Sequence, residues 1–238
     1  MSTDAVVVGS GPNGLAAAVT LARAGVSVEL IERLPYLGGG AATRETTLPG
    51  FHHDLGSAVH PMAFASPFFR AFGLPERTPF VTPDISYAHP LDGGRSAVAY
   101  RSVQRTADEL GADGAAWLRL FAPLLDGLEG IVDFTSHGLL RFPRRPFDAA
   151  ALALRIAEQG SPLWNARFRG DAAPALLSGV LAHSVGSMPS LATAASGMTL
   201  ATHAHAGGWP VPVGGSGAIV SALVDDLLRH GGQVSTDR

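Results

Sequence analysis

Apolar positions near the start of the chain change period twice. Val6–Gly9 is a continuous β-branched run ending in glycine, the pattern of a short parallel strand buried on both faces. From Pro12 to Ala24 the period lengthens. Leu15, Ala18, Val19 and Ala22 fall at i, i+3, i+4, i+7 and predict one buried helix face. Pro12 suits a first turn, where its missing N–H costs nothing, and Gly25 stands where a helix stops. Val26–Glu32 alternates into a second strand, which completes a βαβ unit of about thirty residues.

Further along, Leu34–Gly50 reads as a Gly/Pro/Thr-rich loop and Ser66–Phe72 as a short helix. Ile85–His89 and Ser96–Tyr100 alternate around a Gly-rich turn, a hairpin signal that departs from the βαβ pattern. Helices are expected over Ser102–Leu110 and Ala112–Phe134, capped by Ser102 and Asp113, then over Asp148–Gln159 and Pro174–His183. Arg141–Phe147 is a proline-broken basic loop: a solvated one, or one that meets an anion. Ser216–His230 predicts a last amphipathic helix with Ser216 as its cap, and Gln233–Thr236 begins a strand. Between Ala172 and Val224 there is no Asp, Glu, Lys or Arg. That stretch reads as buried core with loops; an apolar substrate channel, a partner face and a membrane-surface patch are the alternatives.

Composition narrows this picture. Charged residues are 16% of the chain, against about 25% in an average globular protein. The net charge of −3 and the absence of a lysine-rich run count against nucleic acid as partner. With no cysteine, disulfides, thiolate metal sites and cysteine nucleophiles are excluded together. No secretory signal and no long apolar run stand out, so a cytoplasmic protein without a transmembrane span is expected.

Gly9-x-Gly11-x-x-Gly14 sits between the first strand and the first helix, where a dinucleotide-binding turn belongs. Gly9 lets the strand turn, Gly11 lets backbone approach a pyrophosphate, and Gly14 lets helix and sheet pack closely. Glu32 closes the second strand eighteen residues after Gly14. A carboxylate there accepts from both ribose hydroxyls and repels a 2′-phosphate, favouring FAD or NAD over NADP. The alternative is a glycine turn with no ligand. His52, His53, Asp54 and His60 cluster in sequence as loop polar groups that hold backbone; proton transfer by His60 or His53, or metal ligation, are the alternatives. His203 and His205 stand on one side of a strand-like run, either sharing a metal or exposed in a loop. No residue is assigned a catalytic role and no metal set is assigned.

Gly38 and Gly39 follow Glu32 by six and seven residues. "LPGFHHDLGSAVH" (Leu48–His60) and "VGGSGAIVSALVDDLLRHGGQV" (Val213–Val234) come later in order. The three segments resemble the phytoene desaturase-like flavoproteins, in particular the branch of bacterial relatives of pyridine nucleotide-disulfide oxidoreductase domain-containing protein 2. The resemblance implies an α/β fold: an FAD/NAD(P)-binding Rossmann-like domain with a parallel sheet, incomplete, over residues 1–75 and 210–238. A partial α+β substrate domain, hairpin plus helices, is inserted at residues 76–209. It also implies FAD as cofactor, held by Gly9, Ser10, Gly11, Gly14, Glu32, Arg33, Gly38 and Gly39. The implied activity is hydride transfer from a small apolar or amphiphilic substrate to the flavin. Family members continue for a similar length again, so the resemblance further implies a truncated chain that retains FAD weakly. Its partner would be the missing C-terminal half or another protein. Gly40 stands where many amine-oxidase relatives carry arginine, and the redox-active disulfide that the name suggests is impossible without cysteine. A non-catalytic interaction module and an NAD-dependent dehydrogenase are the rival functions.

Overall fold

The computed structural model describes residues 3–138 and 140–238. The chain divides into two units. One comprises Met1–His60, Phe68–Val81 and Pro210–Arg238; the other comprises Pro61–Pro67 and Thr82–Trp209.

The chain opens with β1 (Ala5–Val8), α1 (Pro12–Arg23) and β2 (Val28–Ile31), the βαβ unit that the pattern predicts. A hairpin of β3 (Thr43–Glu45) and β4 (His52–Asp54) follows, then α2 (Pro67–Phe72), α3 (Leu74–Arg77) and β5 (Phe80–Val81). Next come the hairpin β6 (Ile85–Pro90) and β7 (Ser96–Tyr100), and the helices α4 (Val103–Glu109), α5 (Gly114–Asp126) and α6 (Leu128–Thr135). The helical run ends with α7 (Pro146–Gln159), α8 (Ala172–Leu181) and α9 (Leu191–Ala206), after which β8 (Val211–Pro212), α10 (Gly217–Arg229) and β9 (Gln233–Ser235) return to the first unit.

In the first unit β1, β2 and β9 form a parallel sheet in the order β1–β2–β9, with Val7 opposite Leu30 and Leu30 opposite Val234. The buried face of α1 is Leu15, Ala18, Val19 and Ala22, the four positions that the helical period picks out. It packs against α10, which buries Ile219, Val220, Leu223 and Leu227. The expectation that β1 is buried on both faces fails: Val6 is 53% and Val8 82% exposed. Among the described residues, β1 pairs on one edge only, and helix packing covers only the Val7 face. The Leu34–Gly50 loop likewise holds more structure than expected, a 3₁₀ turn at Gly39–Ala41 and β3.

One buried carboxylate ties this unit together. Asp226 on α10 is 1% exposed and meets the Arg23 guanidinium through two hydrogen bonds of 2.7 and 3.0 Å. Arg77 approaches Oδ1, which also accepts from Arg23, at 3.1 Å, and both arginines lie over the Phe72 ring. The Arg23 hydrogen bonds hold the Asp226 carboxyl below its ordinary acidity range. Deleting it strands Arg23 and Arg77, each about a third exposed, and removes a partner of the more exposed Arg229. Asp226→Ala is therefore expected to cost about 3 kcal/mol, the low end for a broken buried pair. A urea midpoint equal to that of the parent chain would refute this.

The second unit begins with the β6–β7 hairpin, paired His89 to Ala97 and Pro90 to Ser96. Ser102 caps α4 by accepting from the Arg105 N–H. The long helix expected over Ala112–Phe134 is divided at Gly127 into α5 and α6, and the position needs glycine because a Cβ there would lie 2.9 Å from the Asp148 carboxylate of α7. Asp113 holds the N-cap position of α5 but its side chain does not cap the helix: its two carboxylate oxygens accept the Arg169 and Gly170 N–H groups at 2.7 and 2.8 Å.

Much of the charge-free stretch folds as α8 and α9, buried against each other at Gly197 and Leu181. α9 replaces the strand-like run proposed around His203 and His205. Two residues apart on a helix point to nearly opposite sides, so these histidines cannot share a metal as neighbours. Both are buried, at 4% and 7% exposure. His205 Nε2 accepts from the Trp117 indole N–H at 3.1 Å, which leaves Nδ1–H to donate to the Tyr100 carbonyl at 2.9 Å. No helix among the described residues is long and apolar enough to cross a membrane.

Candidate functional site

The first βα turn is built by sterics. Gly9 takes φ +95°, a left-handed conformation open to glycine, while its N–H still reaches the Ile31 carbonyl at 2.7 Å. Gly11 is the N-cap of α1, and a Cβ placed there meets nothing within 4 Å. A Cβ on Gly14 would instead overlap the Gly9 carbonyl oxygen. Gly14 is thus required by helix–strand packing, and Gly11 keeps open the space in front of the helix. The first turn of α1 has N–H groups without helical partners and carries the positive end of the dipole, a site suited to an anion.

Glu32 lies beside this turn, nearly buried. Its Oε2 accepts the Ser10 hydroxyl at 2.6 Å and the Ser10 N–H at 2.8 Å, and its Oε1 accepts the Leu34 N–H at 3.0 Å. The Ser10 hydroxyl bond, then the Leu34 and Ser10 N–H groups, hold the Glu32 carboxyl far below its usual 4.5, at about 2. It is a permanent anion that fixes the turn, with lone-pair capacity left on Oε1. Arg33 is exposed, and its backbone N–H adds to the same stabilisation.

The glycine pair reaches the same place. The Gly38 N–H donates to the Ser10 hydroxyl at 3.1 Å, with Gly38 at φ +111° and no room for a Cβ against Val220. A Cβ on Gly39 would sit 3.1 Å from the Gly11 Cα. The structure therefore brings seven of the eight sequence-assigned positions into one cluster around Ser10, with Arg33 on its exposed rim.

The other two sequence segments support this cluster from behind. Asp54 accepts the Ser216 N–H at 2.8 Å, and Thr43, which donates its hydroxyl to Asp54, accepts the Gly217 N–H at 2.7 Å. These side chains from the β3–β4 hairpin take up N–H groups at the start of α10, while Ser216 holds the N-cap position without a side-chain cap bond. The Ser216 hydroxyl donates to the Ser57 carbonyl and so must accept from His60 Nε2–H at 2.8 Å. Burial pushes the His60 pKa below its ordinary value, favouring the neutral ring, and Asp54 partly offsets that. His60 is a pinned neutral donor rather than a poised base. Gly56 meets the Gly40 backbone, where a Cβ would be 2.7 Å from the Gly40 oxygen, and the Ser57 N–H donates to that oxygen at 2.9 Å. Thr43 and Ser57 carry no sequence signal of their own; only the tight glycines at 215 and 217 hint that something packs there. An open cleft of about 610 Å³ runs along α10 past Thr43, His52 and Ser221, but the glycines of the first turn do not line it.

Residues 7–72 match the NAD(P)-binding Rossmann-like domain family. Over its whole length the chain is similar to an uncharacterized protein of Mycobacterium tuberculosis, 30% identical over 98% of this chain and 47% of that one. Pyridine nucleotide-disulfide oxidoreductase domain-containing protein 2 of Rattus norvegicus is 26% identical over 99% of this chain and 47% of its own length. The chain is a homologue of that protein. It spans about half the length of the curated relatives it matches. Among solved structures, cyclohexylamine oxidase from Brevibacterium oxydans shares the fold with a TM-score of 0.54, covering 98% of this chain and 51% of that one at 15% identity. The homologue described here therefore has an α/β Rossmann-like architecture that begins with a βαβ unit on a parallel sheet.

Proposed function

We propose that the first unit holds the ADP portion of FAD and serves an FAD-dependent oxidoreductase acting on a small apolar or amphiphilic substrate. The observation that carries this is the packing of Gly39 against Gly11, which adds a second glycine strip beside the phosphate turn. The residues fit the cofactor. Gly11 leaves open the space that a side chain would fill, the start of α1 offers N–H donors to a diphosphate, and Glu32 keeps an acceptor for a ribose hydroxyl. Gly9, Gly14 and Ser10 shape the turn; Gly38 and Arg33 border it. When bound, the flavin would supply hydride acceptance; the protein supplies position and a fixed negative charge at the ribose end. The similarity to a cyclohexylamine oxidase in fold and to an oxidoreductase-domain protein in sequence is in keeping with this reading. NAD is the rival ligand, because the same turn and carboxylate suit it.

Competition against FAD distinguishes them. ADP is expected to displace FAD from the purified chain, FMN to have no effect, and 2′-phospho-ADP to compete at least tenfold less well than ADP because Glu32 stays ionised. NAD displacing FAD at lower concentration than ADP, or equal competition by 2′-phospho-ADP, would overturn the assignment.

A further inference from the structure

A second candidate ligand site lies wholly within the other unit. The end of α7, the helix α8 and the Met188–Pro189 segment before α9 enclose a cavity of about 350 Å³, lined by Gln159, Trp164, Ser178, Leu181, Met188 and Pro189. Apart from Gln159 and Ser178 the lining is apolar, and none of it is charged. Gln159 is fully buried, and neither the nitrogen nor the oxygen of its side-chain amide has a hydrogen-bond partner among the described residues. An unpaired buried amide costs about 1–3 kcal/mol; the Tyr87 hydroxyl, His89 Nε2 and Arg141 Nε are also unpaired in this unit, but of these residues Gln159 alone lines this cavity and leaves both a donor and an acceptor open. Ser178 spends its proton on the Ala175 carbonyl and offers only lone pairs. The adjacent Glu158 is taken up by Arg155 and Arg167, which leaves no spare charge next to Gln159. Of the lining residues, Met188 is 45% exposed. Leu191 abuts Gly160, the residue after Gln159, where a Cβ would lie 2.9 Å from the Leu191 Cα.

We propose that this cavity binds a neutral, mainly apolar molecule whose single polar head both donates and accepts a hydrogen bond, as a primary amide does. Neither amide atom of Gln159 is accessible as the chain stands, so binding turns the amide toward the cavity, where such a head pairs with both of its unsatisfied atoms at once and the apolar body lies on Leu181 and Trp164. At about 30 Å³ per water-sized group the space takes roughly a dozen heavy atoms, the size of a medium-chain amide. The site is independent of the dinucleotide turn, and its test requires no bound cofactor. Failure here would leave the FAD reading standing, and the reverse also holds.

Octanamide and methyl octanoate, which accepts but cannot donate, are the probes. Calorimetric titration of the full chain is expected to show one saturable octanamide site, with methyl octanoate at least tenfold weaker. Gln159→Met should weaken octanamide at least tenfold and erase the preference. Met188→Trp, at the exposed rim where folding is not at risk, should block both probes. Absence of saturable binding, equal affinity for the two probes, or octanamide affinity unchanged in Gln159→Met would each overturn the proposal. Should Gln159→Met fail to fold, the probe preference of the parent chain and the Met188→Trp result decide alone.

Discussion

Gly11→Ala is expected to fold like the parent chain and to bind FAD at least tenfold more weakly, while Gly14→Ala loses the fold of the first unit. The two glycines belong to one short motif, yet their surroundings are opposite. At Gly11 a methyl group enters open space, so the only structural cost is the few tenths to about 1 kcal/mol of losing a glycine N-cap. The same methyl group occupies the place where a diphosphate must approach, and a tenfold loss corresponds to about 1.4 kcal/mol. At Gly14 the methyl group overlaps the Gly9 carbonyl oxygen, which is backbone and cannot rotate away. The helix must lift from the strand, and the packing of Leu15, Ala18 and Val19 goes with it. Overpacking costs about 1–3 kcal/mol when side chains can yield; here the upper end or more is expected. Urea unfolding followed by circular dichroism, with an FAD titration on each variant, tests both halves. Parent-like FAD affinity in Gly11→Ala would remove the phosphate role, and a stable Gly14→Ala would contradict the close packing.

The second unit is expected to lose stability steeply as the pH falls from 6.5 to about 4. Burial pushes His203 and His205 down from 6.5 to about 4 each. The unfolded chain therefore takes up two protons before the folded unit does. The stability that these residues allow is complete above pH 6.5, falls by about 1.4 kcal/mol per pH unit per histidine below it, and levels off once the folded forms protonate. The full window is worth about 3 kcal/mol for each, comparable together with the 5–15 kcal/mol of a typical domain. His205 also fixes Trp117 and the Tyr100 carbonyl, so the fluorescence of Trp117 reports the loss locally. Unfolding midpoints that stay level between pH 7 and 5 would be incompatible with buried neutral histidines. Glu32 contributes in a different window. Its depressed pKa adds stability above about pH 4.5 that disappears as the pH falls towards 2.

Local regularity made several elements legible. α1, the β6–β7 hairpin, the Ser102 cap and the register-bearing strand at Gln233 all carry short-range signals: a helical period, an alternating pair around a glycine turn, a capping hydroxyl, a β-branched residue between polar ones. The missed elements lacked such signals. α9 is rich in small residues and buried on most of its circumference, so no polar stripe marks its period. β3 and β4 are three residues each, too short to display alternation, and their value lies in distant partners: Asp54 and Thr43 take up N–H groups at the start of a helix that begins more than 150 residues later. The need for glycine at 127 depends on Asp148 of another helix.

By itself the sequence determined the glycine turn, the carboxylate after the second strand and the second glycine pair, because backbone conformation and close approach restrict those positions locally. It also determined the parallel βαβ start. Only the tertiary structure decided that Glu32 is tied to Ser10, that His60 is a held donor, that His203 and His205 are buried, and that Val6 and Val8 face outward. It also placed Gln159 unpaired in a cavity. Each of these depends on which group from a distant part of the chain arrives beside the residue, and burial and hydrogen bonding then fix its charge and its chemistry.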